Sequence, residues 1–374
     1  MLSRLDDYPI QQTSEPLAHP ATSDRNFYGR YWFNGFSQEG DFFFGIALGV
    51  YPNRQVMDAA FSVVTADGQQ ESFRASRRVP TDRAELRVGP LSLDVVEPMR
   101  VLRMRLAPNE TGIEADLTFR ARTVALEEPR QTMHEGTRVT MDTTRFTQFG
   151  DWEGGVAVDG RRTEVLPDRT RGTRDRSWGV RGVGEREAGA ARRGAPQICW
   201  LWAPLHFADV CTHFGVFEYA DGTQWHSNGA VVPAYPASSD FSTTDESGVE
   251  RMVRISHALH FVKGTRRMAG GTLELVPAQG EARVTELEPV LRFPMIGIGY
   301  AHPEWGHGTW HGELETMRES WNVNDLDELD PRYQHMQQVV RARMGERVGI
   351  GVLEQIILGP HERFGFKEFL DGAS

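Results

Sequence analysis

A two-residue alternation of apolar and polar side chains runs through residues 113–122. Ile113, Ala115, Leu117, Phe119 and Ala121 interleave with Glu114, Asp116, Thr118, Arg120 and Arg122. Successive side chains on a strand point to opposite faces, so this segment predicts a strand with one buried and one wet face. Just before it, Leu102, Met104 and Leu106 interleave with Arg103 and Arg105, and Asn109-Glu110-Thr111-Gly112 supplies a turn. A parallel pair needs a long crossover, and none fits between these runs, so an antiparallel pair is expected. Asp67-Gly68, Asp159-Gly160 and Asp221-Gly222 each separate further strand-like runs, because the glycine adopts positive φ at little cost. Residues 62–68 (SVVTADG) and 216–222 (VFEYADG) share local wording, which suits two halves built on one plan.

One helix is expected against this background. Asp330 suits an N-cap, Pro331 the first helical position and Gly345 the end, with Tyr333, Met336 and Val340 on one helical stripe. Residues 347–359 then read as a strand again. A chain of 374 residues exceeds what one core organises, so two domains are expected, at 25–190 and 196–370. The Ala-, Gly- and charge-rich stretch at 185–195 marks their boundary, and a Ser/Asp/Thr/Pro-rich stretch at 234–250 reads as a long surface loop beside a site entrance. The expected class is all-β: two consecutive antiparallel β-barrel or sandwich domains with one C-terminal helix.

A formal net charge of −11 argues against nucleic acid and against an anionic membrane surface as partners. The N-terminal residues lack the apolar core of a signal peptide, and no apolar run reaches membrane-spanning length, so a cytoplasmic location is expected. Cys199 and Cys211 give no disulfide framework. Motifs for nucleotide, flavin, nicotinamide and common zinc chemistry are missing, so no cofactor is expected. In the His-rich run at 300–313, His307 and His311 would stand ~13 Å apart on an extended chain, too far for one ion, so no metal centre is expected.

Chemistry-bearing residues concentrate in RGTRDRSWGVRGVGER (171–186) and in the Trp-rich segment from 197. On an extended chain Arg174, Arg176 and Trp178 share one face, and Asp175 and Ser177 the other. Charged groups beside tryptophans cost desolvation energy unless they pair or serve a site. His134, Asp175, Arg176, His206 and His226 are therefore the catalytic candidates. Tyr51, Arg174, Trp178, Arg181, Trp202, Asn228 and Tyr300 are the substrate-binding candidates, within aromatic clusters that fit an apolar pocket between the halves.

The RDRSWGVR block, followed by WLWAPLHF and HFGVFEYADGTQW, resembles the two-domain lipocalin-like superfamily of carotenoid 1,2-hydratases, AttH-like proteins and lipocalin-type cyclases. The resemblance spans roughly residues 25–365, and its most specific element is Ser177-Trp178-Gly179 flanked by Asp175 and Arg181. It implies two lipocalin-like β domains around a ligand pocket and cofactor-free acid–base chemistry on a hydrophobic small molecule. Two functions are expected to compete. One is a lyase or hydratase acting on a terpenoid, steroid or lignin-derived phenolic, with loss of water or a small aldehyde. There, His134, His206 or His226 handles the proton, Arg174, Arg176 or Arg181 stabilises negative charge, and Asp175 orients an arginine or a histidine. The other is a non-catalytic carrier of a hydrophobic ligand, which needs fewer ionisable groups in its cavity. A homodimer is compatible with the chain, though no interface signal demands one.

Overall fold

The computed structural model describes residues 2–10, 14–185, 189, 196–236 and 239–374. The first half carries β1 (Phe27–Ser37), β2 (Phe42–Tyr51), β3 (Val56–Thr65), β4 (Gln69–Arg78), β5 (Arg87–Val88), β6 (Leu91–Glu97) and β7 (Val101–Leu106). It continues with β8 (Ile113–Ala121), β9 (Leu126–Glu127), β10 (Gln131–Glu135), β11 (Arg138–Val158), β12 (Arg161–Val165) and β13 (Thr170–Arg181). The second half carries β14 (Ile198–His206), β15 (Val210–Glu218), β16 (Gln224–Pro233), β17 (Glu250–Phe261) and β18 (Met268–Pro277). Then follow β19 (Arg283–Pro294), β20 (Leu314–Asn322), β21 (His335–Met344) and β22 (Arg347–Leu358).

Two barrel-shaped sheets result. The first has 14 strands in the order β20-β4-β3-β2-β1-β13-β11-β8-β7-β6-β5, with β9, β10 and β12 also on β11. The second is a closed barrel of β14 to β19, β21 and β22, where β22 returns to pair with β14. The strand at 113–121 pairs antiparallel with 101–106, as the alternation predicted. Each of the three Asp-Gly pairs sits in the turn between successive strands, with its glycine at φ between 79 and 86°. β20 departs from the two-halves plan, because it leaves the second half to pair with the edge of β4.

The expected C-terminal helix is not formed. Asp330 does cap, accepting from the Arg332 N–H, but only a three-residue 3-10 turn follows at Pro331–Tyr333. Residues 335–344 are β21, paired on both sides with β19 and β22. The stripe of Tyr333, Met336 and Val340 was coincidental. Val339 and Val340 are β-branched and favour a strand, and the neighbouring ladders stabilise that choice. Of the boundary stretch 185–195, residues 186–188 and 190–195 lie outside the described residues. The 234–250 stretch, described except for 237–238, straps onto the first sheet. Ala125 N–H donates to Thr243 O at 2.8 Å, and Glu127 N–H to a Glu246 carboxylate oxygen at 2.8 Å. Among the described residues no helix is long and apolar enough to cross a membrane.

Alternation along the strands feeds three cores. Phe33, Phe44, Phe119 and Trp152 fill the first sheet, and Leu201, Leu205, Phe214 and Leu353 fill the barrel. The residues next door in sequence, Trp32, Phe43, Trp200 and Trp202, turn the other way and meet Phe293 in a seam between the sheets. Phe43 and Phe293 pack with ring centroids 4.4 Å apart, a geometry worth ~0.5–1.5 kcal/mol beyond area burial. Both faces of β1 and β2 are thus covered, which is why β2 reads as a continuous apolar run and β1 is buried on both faces from Tyr28 to Ser37.

Candidate functional site

The seam encloses a cavity of about 150 Å³, built by β1, β11 and β13 on one side and β14, β15, β21 and β22 on the other. Register places its polar groups. On β13, Asp175 stands opposite Trp32 and Thr147, and Ser177 opposite Arg30 and Arg145. Asp175 therefore has two arginines on the diagonals of its own sheet face. Trp32, Trp200, Trp202 and Phe217 supply aromatic walls, and Tyr300 enters from the segment after β19.

Three carboxylates near the cavity are treated differently. Glu128 is buried and takes Thr147 Oγ1 at 2.6 Å and Arg145 Nη2 at 2.5 Å. Burial opposes its charge, yet the Arg145 guanidinium holds its pKa well below the carboxylate range. Glu354 takes His335 Nε2 at 2.9 Å, Gln337 Nε2 at 2.5 Å and the Trp200 indole N–H at 3.1 Å. Burial again opposes, and His335 and Gln337 again win, lowering its pKa. Asp175 receives no hydrogen bond or ion pair among the described residues. Burial pushes its pKa up to about 6, only partly offset by the Arg145 charge and reinforced by Glu128.

A second layer holds the arginines and Tyr300. Arg30 Nη1 donates to His307 Nδ1 at 2.8 Å. Arginine can only donate, so Nδ1 is the acceptor, and Nε2–H donates to Ile298 O at 2.9 Å. His307 is thereby fixed as one neutral tautomer, and burial together with Arg30 drives its pKa well down. The Arg30 guanidinium lies 4.6 Å above the Tyr300 ring. Tyr51 donates to Asp58 at 3.3 Å, and burial raises Asp58 to about 6.

The expected site residues divide accordingly. Asp175, Arg181, Trp202 and Tyr300 line the cavity. Tyr51 lies behind it in the Asp58 layer, and His226 approaches through Gln131, whose Nε2 is 3.3 Å from its Nε2. Asn228 lines a separate groove beside Glu127 and Arg251. Arg174, Arg176 and Trp178 occupy the opposite face of β13, away from the cavity. Arg174 pairs with Asp7 and Gln148, and Arg176 covers the Tyr31 ring at 4.6 Å. His206 is buried edge-on to Phe149, with centroids 5.1 Å apart, and burial keeps it neutral. His134 is exposed on β10. Sequence reading missed Arg30, Glu128, Arg145, His335 and Glu354. Arg30, Arg145, His335 and Glu354 come from four separate strands, and only the alternation parity relative to Trp32, Trp200 and Asp175 could have pointed to them; Glu128 follows β9 outside any strand, where no such signal exists.

A family described as a family of unknown function (DUF8625) matches residues 2–367, and the chain belongs to it. A search of the curated proteins gave no match. Among solved structures, the chain is similar to kievitone hydratase from Nectria haematococca, with 12% identity, 94% of each chain covered and a TM-score of 0.52. It is also similar to an AttH-like protein from Nitrosomonas europaea, with 13% identity, 93% of this chain and 98% of that one covered, and a TM-score of 0.54. At these identities the likeness is one of fold, and it is the lipocalin-like hydratase and AttH fold that the sequence resembles.

Proposed function

We propose that the chain is a hydratase or dehydratase of lyase type, acting on a hydrophobic small molecule in the seam cavity with Asp175 as its proton-transfer group. The observation that carries this reading is the division among the carboxylates. Neighbours that push like groups to opposite protonation states assign an acid and its anionic partners. Asp175 is the uncompensated member, and Glu128 and Glu354 are the anions.

In hydration, the neutral Asp175 carboxyl gives its proton to one alkene carbon. The carbocation left on the other carbon is stabilised by the Glu354 anion and the faces of Trp32 and Trp202. A water held by the Ser177 and Thr143 hydroxyls adds to it and returns one proton to the Asp175 carboxylate. The net change is alkene plus water to alcohol, and dehydration is the reverse. Apolar walls delay capture of the cation by stray water. A cavity of about 150 Å³ is on the order of what a single ring fills. That favours a phenolic monomer, or the reacting end of a longer isoprenoid, over a whole steroid.

The test uses alkenyl phenols and prenyl compounds with their alcohols in deuterated water. The native protein is expected to interconvert alkene and alcohol and to place deuterium on carbon. Asp175→Asn should lose this by ~10²–10⁴-fold with its fold intact. Full activity in that variant would remove Asp175 from the role. Tight binding without turnover in the native protein would favour the carrier function instead.

A further inference from the structure

The faces of β14 and β15 turned away from the cavity hold a second cluster. Trp200 and Phe217 face the seam, so Cys199 and Glu218, which pair with each other in register, face the interior of the barrel. Glu218 is 1% exposed there and takes two imidazoles. His257 Nε2 lies 3.1 Å from Oε1, and His361 Nε2 lies 3.0 Å from Oε2. The Cys199 sulfur, a Glu218 oxygen and a His361 nitrogen all lie within 4.8 Å of one another. Cys199 makes no hydrogen bond among the described residues, and the Nδ1 atoms of His257 and His361 are buried without partners. Burying a carboxylate, two imidazoles and a thiol among Leu201, Phe214 and Phe366 is costly if they only pair with one another.

We propose that Cys199, Glu218 and His361 form a binding site for a divalent metal ion of the zinc class. Mixed sulfur, nitrogen and oxygen ligands suit that class. Tetrahedral bonds of about 2.0–2.3 Å set ligand atoms about 3–4 Å apart, a spacing these side chains reach by small rotations. The Cys199 thiol loses its proton to solvent on binding, and thiolate and carboxylate together balance the two positive charges. His257 holds the second carboxylate oxygen, as partners of metal-bound carboxylates do. A fourth position is left for water. The side chain of Arg363, 43% exposed, has its Nη1 3.6 Å from Glu218 Oε1 and so links the buried cluster to the protein surface. Because His361 follows β22, the ion ties the C-terminal segment to β14 and β15. It is a staple of the barrel, independent of the reaction proposed for the cavity.

The full chain, dialysed against zinc or cobalt and then freed of excess ion, is expected to retain about one ion per chain by plasma mass spectrometry. It should also gain several degrees in Tm. The cobalt form should show a near-ultraviolet thiolate charge-transfer band that Cys199→Ser abolishes and Cys211→Ser keeps. X-ray absorption of the zinc form should show one sulfur neighbour, which tests the site even if Cys199→Ser fails to fold. No retained ion, a band that survives in Cys199→Ser, or zinc without a sulfur neighbour would each overturn the proposal.

Discussion

Three carboxylates approach the seam, and only the one left unbonded has a raised pKa. Glu128 and Glu354 each collect donors that stabilise the anion, whereas Asp175 faces the cavity with none. A pKa of about 6 has a consequence for rate. The protonated form is the acid, so kcat/KM for hydration should fall as pH rises through about 6. A rate profile level up to pH ~8 would count against the assignment. It also has a consequence for stability. A carboxyl whose folded pKa is raised binds its proton longer in the native state, so its stabilising contribution is complete below the unfolded value near 4. That contribution is lost as pH rises through about 6. Asp175→Asn should therefore be more stable than the native chain at pH 7, by on the order of 1–2 kcal/mol after allowing for cavity water. The stability difference between variant and native chain should therefore grow in the variant's favour between about pH 4 and 6 in urea titrations. His206 runs the opposite way. Burial lowers its pKa, so stability is lost as pH falls below about 6.5. His206→Phe should remove its own share of that acid sensitivity, with His226 and His307 keeping theirs, and leave turnover near native, because the ring sits beside Phe149 and not in the cavity.

At the scale of the element, β13 explains why Ser177-Trp178-Gly179 stands out in the sequence. Gly179 sits at φ 133°, and a Cβ there would stand 2.1 Å from Asp142 O and 3.0 Å from Thr143 Cα on β11. Only glycine lets β11 approach this closely, and that approach carries Thr143 and Arg145 to the cavity. Gly179→Ala should cost roughly 2–4 kcal/mol, read as a lower Tm, and should weaken ligand binding before the fold is lost. Much of this level was legible from sequence. Period two gave β7 and β8, Asp-Gly pairs gave three turns, and the face split of Asp175 from Arg174 and Arg176 followed from strand geometry alone. What stayed hidden was which face met which. Asp175 and Arg176 have equal claim as charged neighbours of tryptophan, and only the packed second sheet decides that Asp175 faces the cavity while Arg176 is enclosed over Tyr31. The misread helix has the same origin. Asp330-Pro331 is a valid helix start, and nothing local records that β19 and β22 lie on either side to claim the next ten residues as a strand.

The whole molecule is held together by a strand and side chains that cross the seam, so its halves are not interchangeable with free domains. β20 pairs with β4 along its length, although most of the second half belongs to the other sheet. Around that crossover, buried side-chain donors of the first sheet reach acceptors in the second half. Arg74 Nη2 donates to Ile296 O at 2.6 Å, Gln70 Nε2 to Pro294 O at 3.1 Å, and Asn34 Nδ2 to Gln337 Oε1 at 2.9 Å. A chain ending at residue 185 would bare the β4 edge, the seam faces of Trp32 and Phe43, and each of these groups. Re-solvation meets part of the loss, but every polar group left buried without a partner costs ~1–3 kcal/mol. Arg74 and Asn34 lose their acceptors outright while Gln70 keeps Ser62, and together with the lost aromatic packing this takes up a large share of the ~5–15 kcal/mol by which a domain is stable. The truncated chain is therefore expected to aggregate through its open edge, or to keep strand content while losing near-ultraviolet aromatic circular dichroism. Co-expression with residues 189–374 should restore the aromatic signal, because the missing acceptors and β20 return in trans. A monomeric 1–185 fragment with a cooperative melt and native aromatic signal would show instead that the first sheet is self-sufficient, and that the seam is a docking surface between two finished domains.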